Sequence, residues 1–384
     1  MEQTIAKHIE NYLRDNQEDM LIFLKKLVTT ETPSLDAKSQ SEILIFLKDT
    51  LESLDFQVSI STGSMTGGYL YARPKSRIKN QPIQLMVGHC DTVWKKGTLE
   101  KMPITDIENK VSGPGVFDMK AGLTQMIFAI KAIKNLNLEC KVIPVIIINS
   151  DEEIGSIESA KTIAGLSRVA SRAYILEPPL GLDGMLKTAR KGIGRFTLTV
   201  TGQPAHAGLN PDQGASAIVE LSYHIQHLFA LNDFKKGITV NVGMIQGGSS
   251  ANVIAAESKA VIDVRVHNAK DADFISRKIL GLKPISKDTS LKIEGYFGRP
   301  PMEKTTRNQE LWKLAKKLGK TININLEQTT AGGGSDGNTT SLYTATLDGL
   351  GTVGDGAHAK HEFIFKDKLV ERTALLTLLL TADP

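Results

Sequence analysis

Cysteine is scarce in this chain of 384 residues, which contains only Cys90 and Cys140. Two cysteines exclude a disulfide-rich scaffold and are typical of a reducing compartment, although a single disulfide between them stays open. Long apolar runs are also missing. A membrane-spanning helix needs roughly 18 consecutive apolar residues. Because no run approaches that length, we expect no transmembrane segment.

The excess of positive over negative charge is also small. The formal net charge is +4, and lysine and arginine are scattered, so the chain lacks the electrostatic footprint of a nucleic-acid-binding protein. Residues 1–7 lack the charged-then-apolar pattern of a secretory signal. We therefore expect a cytoplasmic protein, or a periplasmic or secreted one if a signal peptide has been removed.

The length exceeds what one ordinary core accommodates and predicts two domains. Over residues 1–189 and 301–384, apolar strands alternate with amphipathic helices, which indicates an α/β domain with a mostly parallel sheet between helices. A strand is expected there at Thr321–Leu326. Over residues 190–300, the order strand–helix–strand–strand–helix–strand predicts an inserted ferredoxin-like α+β domain.

One stretch is especially informative, because the apolar run 142–149 stops abruptly and Asp151, Glu152 and Glu153 follow it. A β-branched run of this length predicts a strand buried on both faces. Ligands of open α/β sheets bind at the carboxyl ends of strands. Burying three carboxylates there would cost several kcal/mol without a positive partner. The stretch therefore predicts a metal site.

Other candidate ligands follow other predicted strands and loops. They are His89 and Asp91 after the strand 83–87, Asp118 in a glycine-rich loop, Glu177 after the strand 172–176, and His358 near the C-terminus. Oxygen and imidazole ligands without thiolates suit Zn²⁺, Co²⁺ or Mn²⁺ and argue against a structural cysteine site. If one carboxylate bridges, the set is sufficient for two metals, a recurring hydrolytic design.

The roles of neighbouring residues can be separated. His89 and Asp91 project to one side of an extended chain, so Asp91 can accept the second ring N–H of His89 and fix the metal-binding tautomer. Glu152 and Glu153 project in different directions. One can bind metal while the other acts as a general base towards water. Asp151 is predicted to be positional, for example as a helix cap.

These residues fall within motifs that resemble those of two-domain zinc metallopeptidases. That family includes aminoacylase, acetylornithine deacetylase, succinyl-diaminopimelate desuccinylase and bacterial glutamate carboxypeptidase, and the last is the most similar subfamily. The resemblance extends over nearly the whole chain. It implies a phosphorylase/hydrolase-like α/β domain with an inserted lid and dimerisation domain. The motifs that carry it are Gly88–Val93, Gly113–Gly122, Asn149–Ser156, Glu177–Pro178, Gly202–Gly208 and Gly332–Gly337.

The resemblance implies two divalent cations per subunit, with Zn²⁺ favoured over Co²⁺ or Mn²⁺. His89 and Glu177 would bind the first cation, and Glu153 and a C-terminal histidine the second. Asp118 would bridge both. The family also implies a cis peptide bond between Asp118 and Met119.

The C-terminal ligand has two candidates. The family pattern, a histidine followed a few residues later by glutamate and an aromatic residue, favours His358. His361 would then support the site or lie on the surface. By the same resemblance, Glu152 would be the general base and Asp91 the partner of His89.

The inserted domain is implied to contribute as well. His206 would reach the partner subunit's active site and stabilise the tetrahedral oxyanion. Asn252 and Arg265 would contact the substrate carboxylate, which the planar guanidinium fork suits, although a surface salt bridge would explain Arg265 equally. The glycines around Gly333 would present backbone N–H groups to that carboxylate, or form a bare turn.

The implied activity is hydrolysis of an amide bond by a metal-activated water, with release of a C-terminal amino acid, as in a glutamate carboxypeptidase. A deacylase of N-acyl amino acids, such as acetylornithine or succinyl-diaminopimelate, is the alternative. Both would act on small N-acyl amino acids or peptides as a homodimer formed through the inserted domain. A relative that binds amino acids or peptides without catalysis is an alternative from another class, and the complete ligand set argues against it.

Overall fold

The computed structural model describes residues 2–383. The chain divides into two compact units. The first unit comprises the residues up to Thr188, the segment Lys304–Ala331, and the residues from Ser335 onwards. The second unit comprises Ala189–Glu303 and Gly332–Gly334.

Helices and strands alternate along much of the chain. The helices are α1 (Glu2–Asp15), α2 (Gln17–Thr29), α3 (Ala37–Ser53), α4 (Ala121–Asn135), α5 (Ala160–Ser167), α6 (Ala217–Phe229), α7 (Ala269–Leu280), α8 (Thr306–Thr321), α9 (Gly337–Thr340) and α10 (Lys366–Thr381). The strands are β1 (Phe56–Ser61), β2 (Tyr69–Pro74), β3 (Ile83–His89), β4 (Thr105–Ile107), β5 (Lys110–Ser112), β6 (Ile143–Asn149), β7 (Ala170–Ile175), β8 (Leu186–Arg190), β9 (Gly192–Thr201), β10 (Thr239–Gly247), β11 (Glu257–Val266), β12 (Ser290–Arg299), β13 (Gln328–Ala331), β14 (Ala345–Leu347), β15 (Gly354–Asp355) and β16 (Phe363–Phe365).

Several helices begin where the sequence offers a capping side chain. Asp36, Ser216, Asn268 and Thr305 precede α3, α6, α7 and α8, and each side chain accepts the backbone N–H of the residue three positions later. Such a cap satisfies one of the free donors at a helix start and contributes about 1 kcal/mol. Local sequence therefore determines where these helices begin.

The main sheet of the first unit has the strand order β1-β2-β6-β3-β7-β14. The pairs β3–β6, β3–β7 and β7–β14 are parallel, whereas β1–β2 and β2–β6 are antiparallel. This mixed sheet has a parallel centre, as the alternation of strands and helices predicts. The carboxyl ends of β3, β6 and β7 consequently lie along one edge.

Both faces of this sheet are covered. Leu85 and Val87 of β3 belong to a buried cluster with Ile163 of α5, whereas Met86 between them belongs to the larger core with α4 and α10. In β6, every residue from Pro144 to Asn149 is buried. The predicted strand with two buried faces is therefore confirmed, and helices lie on both sides of the sheet.

Two buried polar side chains of the sheet bind the end of α10. Gln84 in β3 donates to the Leu380 carbonyl and accepts the Nε–H of Arg172 in β7. The Arg172 guanidinium also donates to the carbonyls of Ala382 and Asp383. The last turns of the described chain thus satisfy donors in the middle of the sheet.

The second unit contains the elements β9–α6–β10–β11–α7–β12. Its antiparallel sheet has the order β10-β11-β9-β12, which is the strand order of a ferredoxin-like fold. Residues such as Phe196, Leu198 and Ile262 alternate into a core shared with α6 and α7. This unit has its own hydrophobic core.

The predicted strand at Thr321–Leu326 is wrong. Helix α8 continues to Thr321, and the next strand begins only at Gln328. Ile322, Ile324 and Leu326 are buried in the core of the first unit, so the apolar alternation is real. It arises in a turn, where Ile324 donates its N–H to Gly319, and it has no partner strand.

Cys90 and Cys140 are both free thiols, so the disulfide left open by the sequence is absent. Among residues 2–383, no helix is both long and apolar enough to cross a membrane.

Candidate metal centre

The parallel centre of the main sheet brings the predicted ligands of three segments together. His89 is the last residue of β3 and pairs with Asn149, the last residue of β6. Glu152 lies three residues beyond β6, and Glu177 two residues beyond β7. Because these strands run in the same direction, their carboxyl ends deliver the side chains to one edge.

The first group of donor atoms surrounds His89. Its Nε2 lies 3.2 Å from Oδ1 of Asp118 and 3.5 Å from Oε1 of Glu177. Donor atoms of His89, Glu152 and Glu177 also lie within 4.8 Å of one another. His89 and Glu177 are buried. One imidazole nitrogen therefore faces several carboxylate oxygens in a site of low exposure.

The second group surrounds His358. Its Nε2 lies 3.1 Å from Oε2 of Glu153 and 3.5 Å from Oδ2 of Asp118. Asp118 thus directs Oδ1 towards one histidine and Oδ2 towards the other. This is the arrangement of a carboxylate shared by two sites. His361 is exposed.

The loop that carries Asp118 is held by Glu362, a residue with no predicted role. Glu362 accepts the backbone N–H groups of Phe117 and Asp118 at Oε1, and that of Gly115 at Oε2. Oε2 also accepts the indole N–H of Trp94 at 2.9 Å. Burial raises the pKa of Glu362 to about 7, while these four donors act in the opposite direction. The motif pattern of histidine, glutamate and aromatic residue was the only signal for this role.

The peptide bond between Asp118 and Met119 is cis, as the resemblance implies. It lies within the helical turn Val116–Lys120, where Asp118 and Met119 have non-helical dihedral angles. Helix α4 begins directly afterwards at Ala121. The bridging carboxylate therefore projects from an irregular segment between a glycine-rich loop and a helix.

Asp91 contacts the second ring nitrogen of His89, Nδ1. This nitrogen lies 3.0 Å from the carbonyl oxygen of Asp91 and 3.4 Å from Oδ1 of the same residue. With a cation bound, a proton on Nδ1 that is donated to this carbonyl would leave the lone pair of Nε2 as the metal-binding donor. The predicted pairing of His89 with Asp91 thus involves the main-chain oxygen at the shorter distance.

The carboxylate of Asp91 has a further set of contacts. Its oxygens accept the backbone N–H groups of Glu152 and Glu153, each at 3.2 Å, and Ser34 donates its hydroxyl at 2.8 Å. Asp91 therefore orients the turn that carries both glutamates. The sequence provided no signal for Ser34.

The electrostatics of the site follow from this crowding. Burial by itself would lower the pKa of His89, but hydrogen bonds to carboxylates outweigh it and raise that pKa well above its usual value. Hydrogen bonds to Asp118 and then Glu153 raise the pKa of His358 to about 10. Burial raises the pKa of Glu153, whereas the two histidines together lower that of Asp118. Without another cation, protons on the histidines balance these acids.

The donor set fits divalent cations. Two imidazole nitrogens and carboxylate oxygens converge as two overlapping groups, with Asp118 common to both, and no thiol belongs to either group. Within residues 2–383, the ion-pair partners of Asp118 and Glu153 are histidines. Oxygen and imidazole ligands of this kind suit Zn²⁺, Co²⁺ or Mn²⁺.

Asp151 supports the turn after β6. Its carboxylate accepts the backbone N–H groups of Glu158 and Ser159 and the hydroxyl of Ser159, just before α5. Asp336, within the glycine-rich motif near residue 335, binds Asn149 and Ser156. The sequence suggested a positional role for Asp151 but gave no indication of this second acid.

The second unit contains His206 and Asn252 on adjacent segments. Ala207 donates its N–H to the carbonyl of Asn252, and His206 bridges to Val253. His206 is exposed, and its Nδ1 accepts the N–H groups of Gly208 and Leu209, each at 3.2 Å. In a neutral imidazole, the proton is then on Nε2. His206 consequently presents a free N–H donor.

Arg265 makes the salt bridge that the sequence left open. Its Nε and one terminal nitrogen bind both oxygens of Asp263 at 2.7 and 3.0 Å. Gly333 accepts an N–H of Arg190 at its carbonyl, and a methyl group at Gly333 would meet no atom within 4 Å. The structure therefore shows Arg265 already paired with Asp263 and Gly333 in open space.

Residues 85–382 match the family described as Peptidase family M20/M25/M40. This chain belongs to that family. It is 29% identical to carboxypeptidase G2 of Pseudomonas sp. (strain RS-16) over 364 residues, which cover 91% of this chain and 86% of that protein. It is 26% identical to acetylornithine deacetylase of Proteus mirabilis (strain HI4320) over 275 residues, 64% of this chain and 66% of that protein.

A solved structure supports the same assignment at the level of fold. The aminopeptidase PepT from Bacillus cereus ATCC 10987 superposes with a TM-score of 0.81 at 21% identity, over 95% of this chain and 98% of that one. The resemblance read from the motifs is thus confirmed. Membership of the M20 family supports a metal-binding amide-bond hydrolase.

Proposed function

We propose that this M20 protein is a dinuclear metal-dependent exopeptidase, which hydrolyses an amide bond and releases a C-terminal amino acid. The observation that carries the proposal is the position of Asp118, whose two oxygens face the Nε2 atoms of His89 and His358. One carboxylate that is shared between two histidines can bridge two cations about 3.5–4 Å apart, with one histidine as a ligand of each. Glu177 and Glu153 complete the two groups.

Bound divalent cations would supply Lewis-acid polarisation of the amide carbonyl and a lowered pKa of the attacking water. Glu152 is the proposed general base: it takes a proton from that water and passes it to the leaving nitrogen. Asp91 positions Glu152 through its backbone N–H. His206 is the proposed donor to the developing oxyanion, because its Nε2 proton is not used by the main chain around it.

The carboxylate of the released amino acid is assigned to the second unit. Asn252 and Arg265 offer amide and guanidinium donors there. Arg265 keeps a third nitrogen for other partners, since Asp263 uses only Nε and one terminal nitrogen, and the remaining one lies 3.5 Å from the Gly332 carbonyl. A substrate carboxylate would take over that position.

The dimer is proposed to form through the second unit. Strand β10 lies at the edge of its sheet, and Met244 and Ile245 on it are 61% and 63% exposed. Unpaired edge strands with apolar side chains invite pairing with another chain. Light scattering tests this, and Ile245→Lys should convert a dimer into a monomer. A wild-type monomer would remove the support for His206 acting in the partner's site.

The metal proposal is tested by metal analysis together with hydrolysis. Wild-type protein loaded with Zn²⁺ or Co²⁺ should hold about two cations per chain and cleave N-acyl or peptidyl amino acids. Asp118→Asn should lose at least one cation and all measurable turnover, whereas Asp49→Asn, an exposed change on α3, should alter neither. Less than one equivalent of metal in wild type, without activity, would favour a binding protein that lacks catalysis.

A deacylase is the second candidate, supported by the similarity to acetylornithine deacetylase. Both activities release an amino acid from an amide, so the substrates distinguish them. A screen should vary the C-terminal residue of dipeptides and, separately, the acyl group on one amino acid. Turnover of dipeptides with a preference for C-terminal glutamate supports the exopeptidase, whereas turnover of acetyl or succinyl amides without turnover of dipeptides supports the deacylase.

A further inference from the structure

A hollow of about 660 Å³ lies in the first unit beside the segments that carry the metal ligands. Four basic side chains line it, Lys101, Lys110, Lys360 and His361, and no acidic residue lines it. Trp94 and Phe363 form apolar walls. We refer to these six residues as the basic pocket.

The charges of the basic pocket are not neutralised locally. Among the described residues, none of its four basic side chains forms an ion pair, although the adjacent Lys25 and Lys366 both bind Asp106. Lys110 is held in place without an acid, because its Nζ lies 4.2 Å from the ring centroid of Phe363 and 5.4 Å from that of Phe365. A positioned ammonium group without a carboxylate partner is suited to an anionic ligand.

The basic pocket is coupled to the bridging ligand through one side chain. The Glu362 carboxylate accepts the Trp94 indole N–H at one oxygen and the Asp118 backbone N–H at the other. His361 is three residues from the ligand His358, and three residues of backbone span at most about 10 Å. A small substrate bound at the two metal groups therefore has one end within reach of the basic pocket.

We propose that the basic pocket binds a carboxylate on the acyl side of the substrate, so that the enzyme prefers amides whose acyl group is itself an acid. This proposal rests on the proposed function, which assigns the carboxylate of the released amino acid to the second unit. The acyl end of the substrate has no binding residue assigned to it there. The apolar walls would contact its methylene groups, and the lysines its charge.

The test compares two substrates with acyl chains of equal length, N-succinyl-glutamate and N-butanoyl-glutamate, in which a distal carboxylate or a methyl group ends the chain. Wild type should show a KM for the succinyl substrate at least tenfold below that for the butanoyl substrate. In Lys101→Gln/Lys110→Gln, the KM for N-succinyl-glutamate should rise about tenfold, with kcat nearly unchanged. The KM for N-butanoyl-glutamate should stay within twofold. The variant Lys101→Arg/Lys110→Arg should retain most of the KM difference between the two substrates.

Lys79→Gln/Lys161→Gln is the matched control, since both residues are exposed lysines of the first unit outside the pocket. It should leave the ratio of the two KM values unchanged, and zinc content should be equal in all variants. Equal effects of the pocket variant on both substrates, or none on either, would overturn the proposal while leaving the hydrolase intact.

Failure of the proposed function gives a different result, namely no hydrolysis of either amide with any metal. In that case, the affinities of the two compounds test the assignment of the basic pocket. Calorimetry on zinc-loaded protein should show N-succinyl-glutamate binding at least tenfold more tightly than N-butanoyl-glutamate, with the difference lost in the pocket variant. Equal affinities would overturn the assignment of the pocket. Inorganic phosphate that competes as well as N-succinyl-glutamate would show a general anion site and would also overturn it.

Discussion

The two units hold their candidate functional residues in different ways. In the first, His89 and Asp91 have 1% and 0% of their side-chain surface exposed, and each contacts other site residues. In the second, His206 is exposed and Arg265 is 29% exposed. A metal site needs ligand geometry fixed to tenths of an ångström. Burial with supporting hydrogen bonds provides it for His89, whereas the His358 side chain is 50% exposed and is held by its contacts with Asp118 and Glu153. Residues proposed to meet a substrate need access, and the side chains of His206 and Arg265 both keep exposed surface.

The largest expected effect separates the adjacent glutamates of the first unit. Glu152→Gln should lower kcat by about 10²–10⁴, the usual contribution of a general base, with metal content unchanged. Glu153→Gln should instead lose metal from the group that contains His358. Metal analysis and kinetics on both variants check this. Equal metal loss in the two would show that both glutamates are ligands.

The next effect tests the second unit. His206→Ala should reduce kcat about 10²–10³-fold, as loss of an oxyanion donor does, without changing metal content or melting temperature, because the side chain is exposed. His227→Ala, an exposed histidine on α6, is the control. A change confined to KM would assign His206 to substrate binding instead.

A substitution at Glu362 tests whether the hydrogen bonds that hold the Asp118 loop contribute to metal binding. Glu362→Gln places an NH₂ group against two of the four donors, and each unmatched buried donor costs about 1–3 kcal/mol. We expect a lower melting temperature and about 10–100-fold weaker metal binding, as for other groups that orient ligands. Thermal melts and metal titration measure these effects, with the exposed change Glu100→Gln as control. Unchanged metal affinity would show that the loop holds Asp118 without Glu362.

Proton binding provides a smaller test. In metal-free protein, the pKa of His358 is about 10 when folded, above its unfolded value near 6.5. Its ion pairs therefore stabilise fully below about pH 6.5, and the contribution is lost as pH rises through about 10. The stability difference between wild type and His358→Gln, from denaturant unfolding, should shrink across that range. A difference that grows with pH would contradict the ion pairs.

The smallest effect is expected at Gly333. A methyl group there meets no atom within 4 Å, whereas one at Gly122 in α4 would lie 2.1 Å from the Leu176 carbonyl oxygen. Gly333→Ala should change KM less than about threefold, and Gly122→Ala should clearly lower the melting temperature. A large KM effect at Gly333 would indicate that the substrate approaches this backbone closely.

The same contrast explains what could be predicted from sequence. The strand after which three acids follow, and the convergence of His89, Glu152 and Glu177, could be predicted because parallel strand ends meet at one edge. The choice of Asp118 and His358 came from the motif resemblance. The roles of Ser34, Glu362 and Asp336 could not, since each depends on a contact between segments far apart in the chain. The apolar alternation at 322–326 misled because burial without a partner strand gives the same pattern.

The anchoring of α10 has a consequence for how the chain is made. The buried donors of Gln84 and Arg172 bind carbonyls of residues 380–383, which are synthesised about 200 residues after Arg172. At 5–20 residues per second, on the order of 10–40 s pass between these events. During that time the strands β3 and β7 exist without the groups that complete them. The first unit therefore cannot complete these hydrogen bonds as its strands emerge, and a nascent chain interrupted before residue 380 would leave Gln84 and Arg172 without the acceptors that residues 380–383 supply.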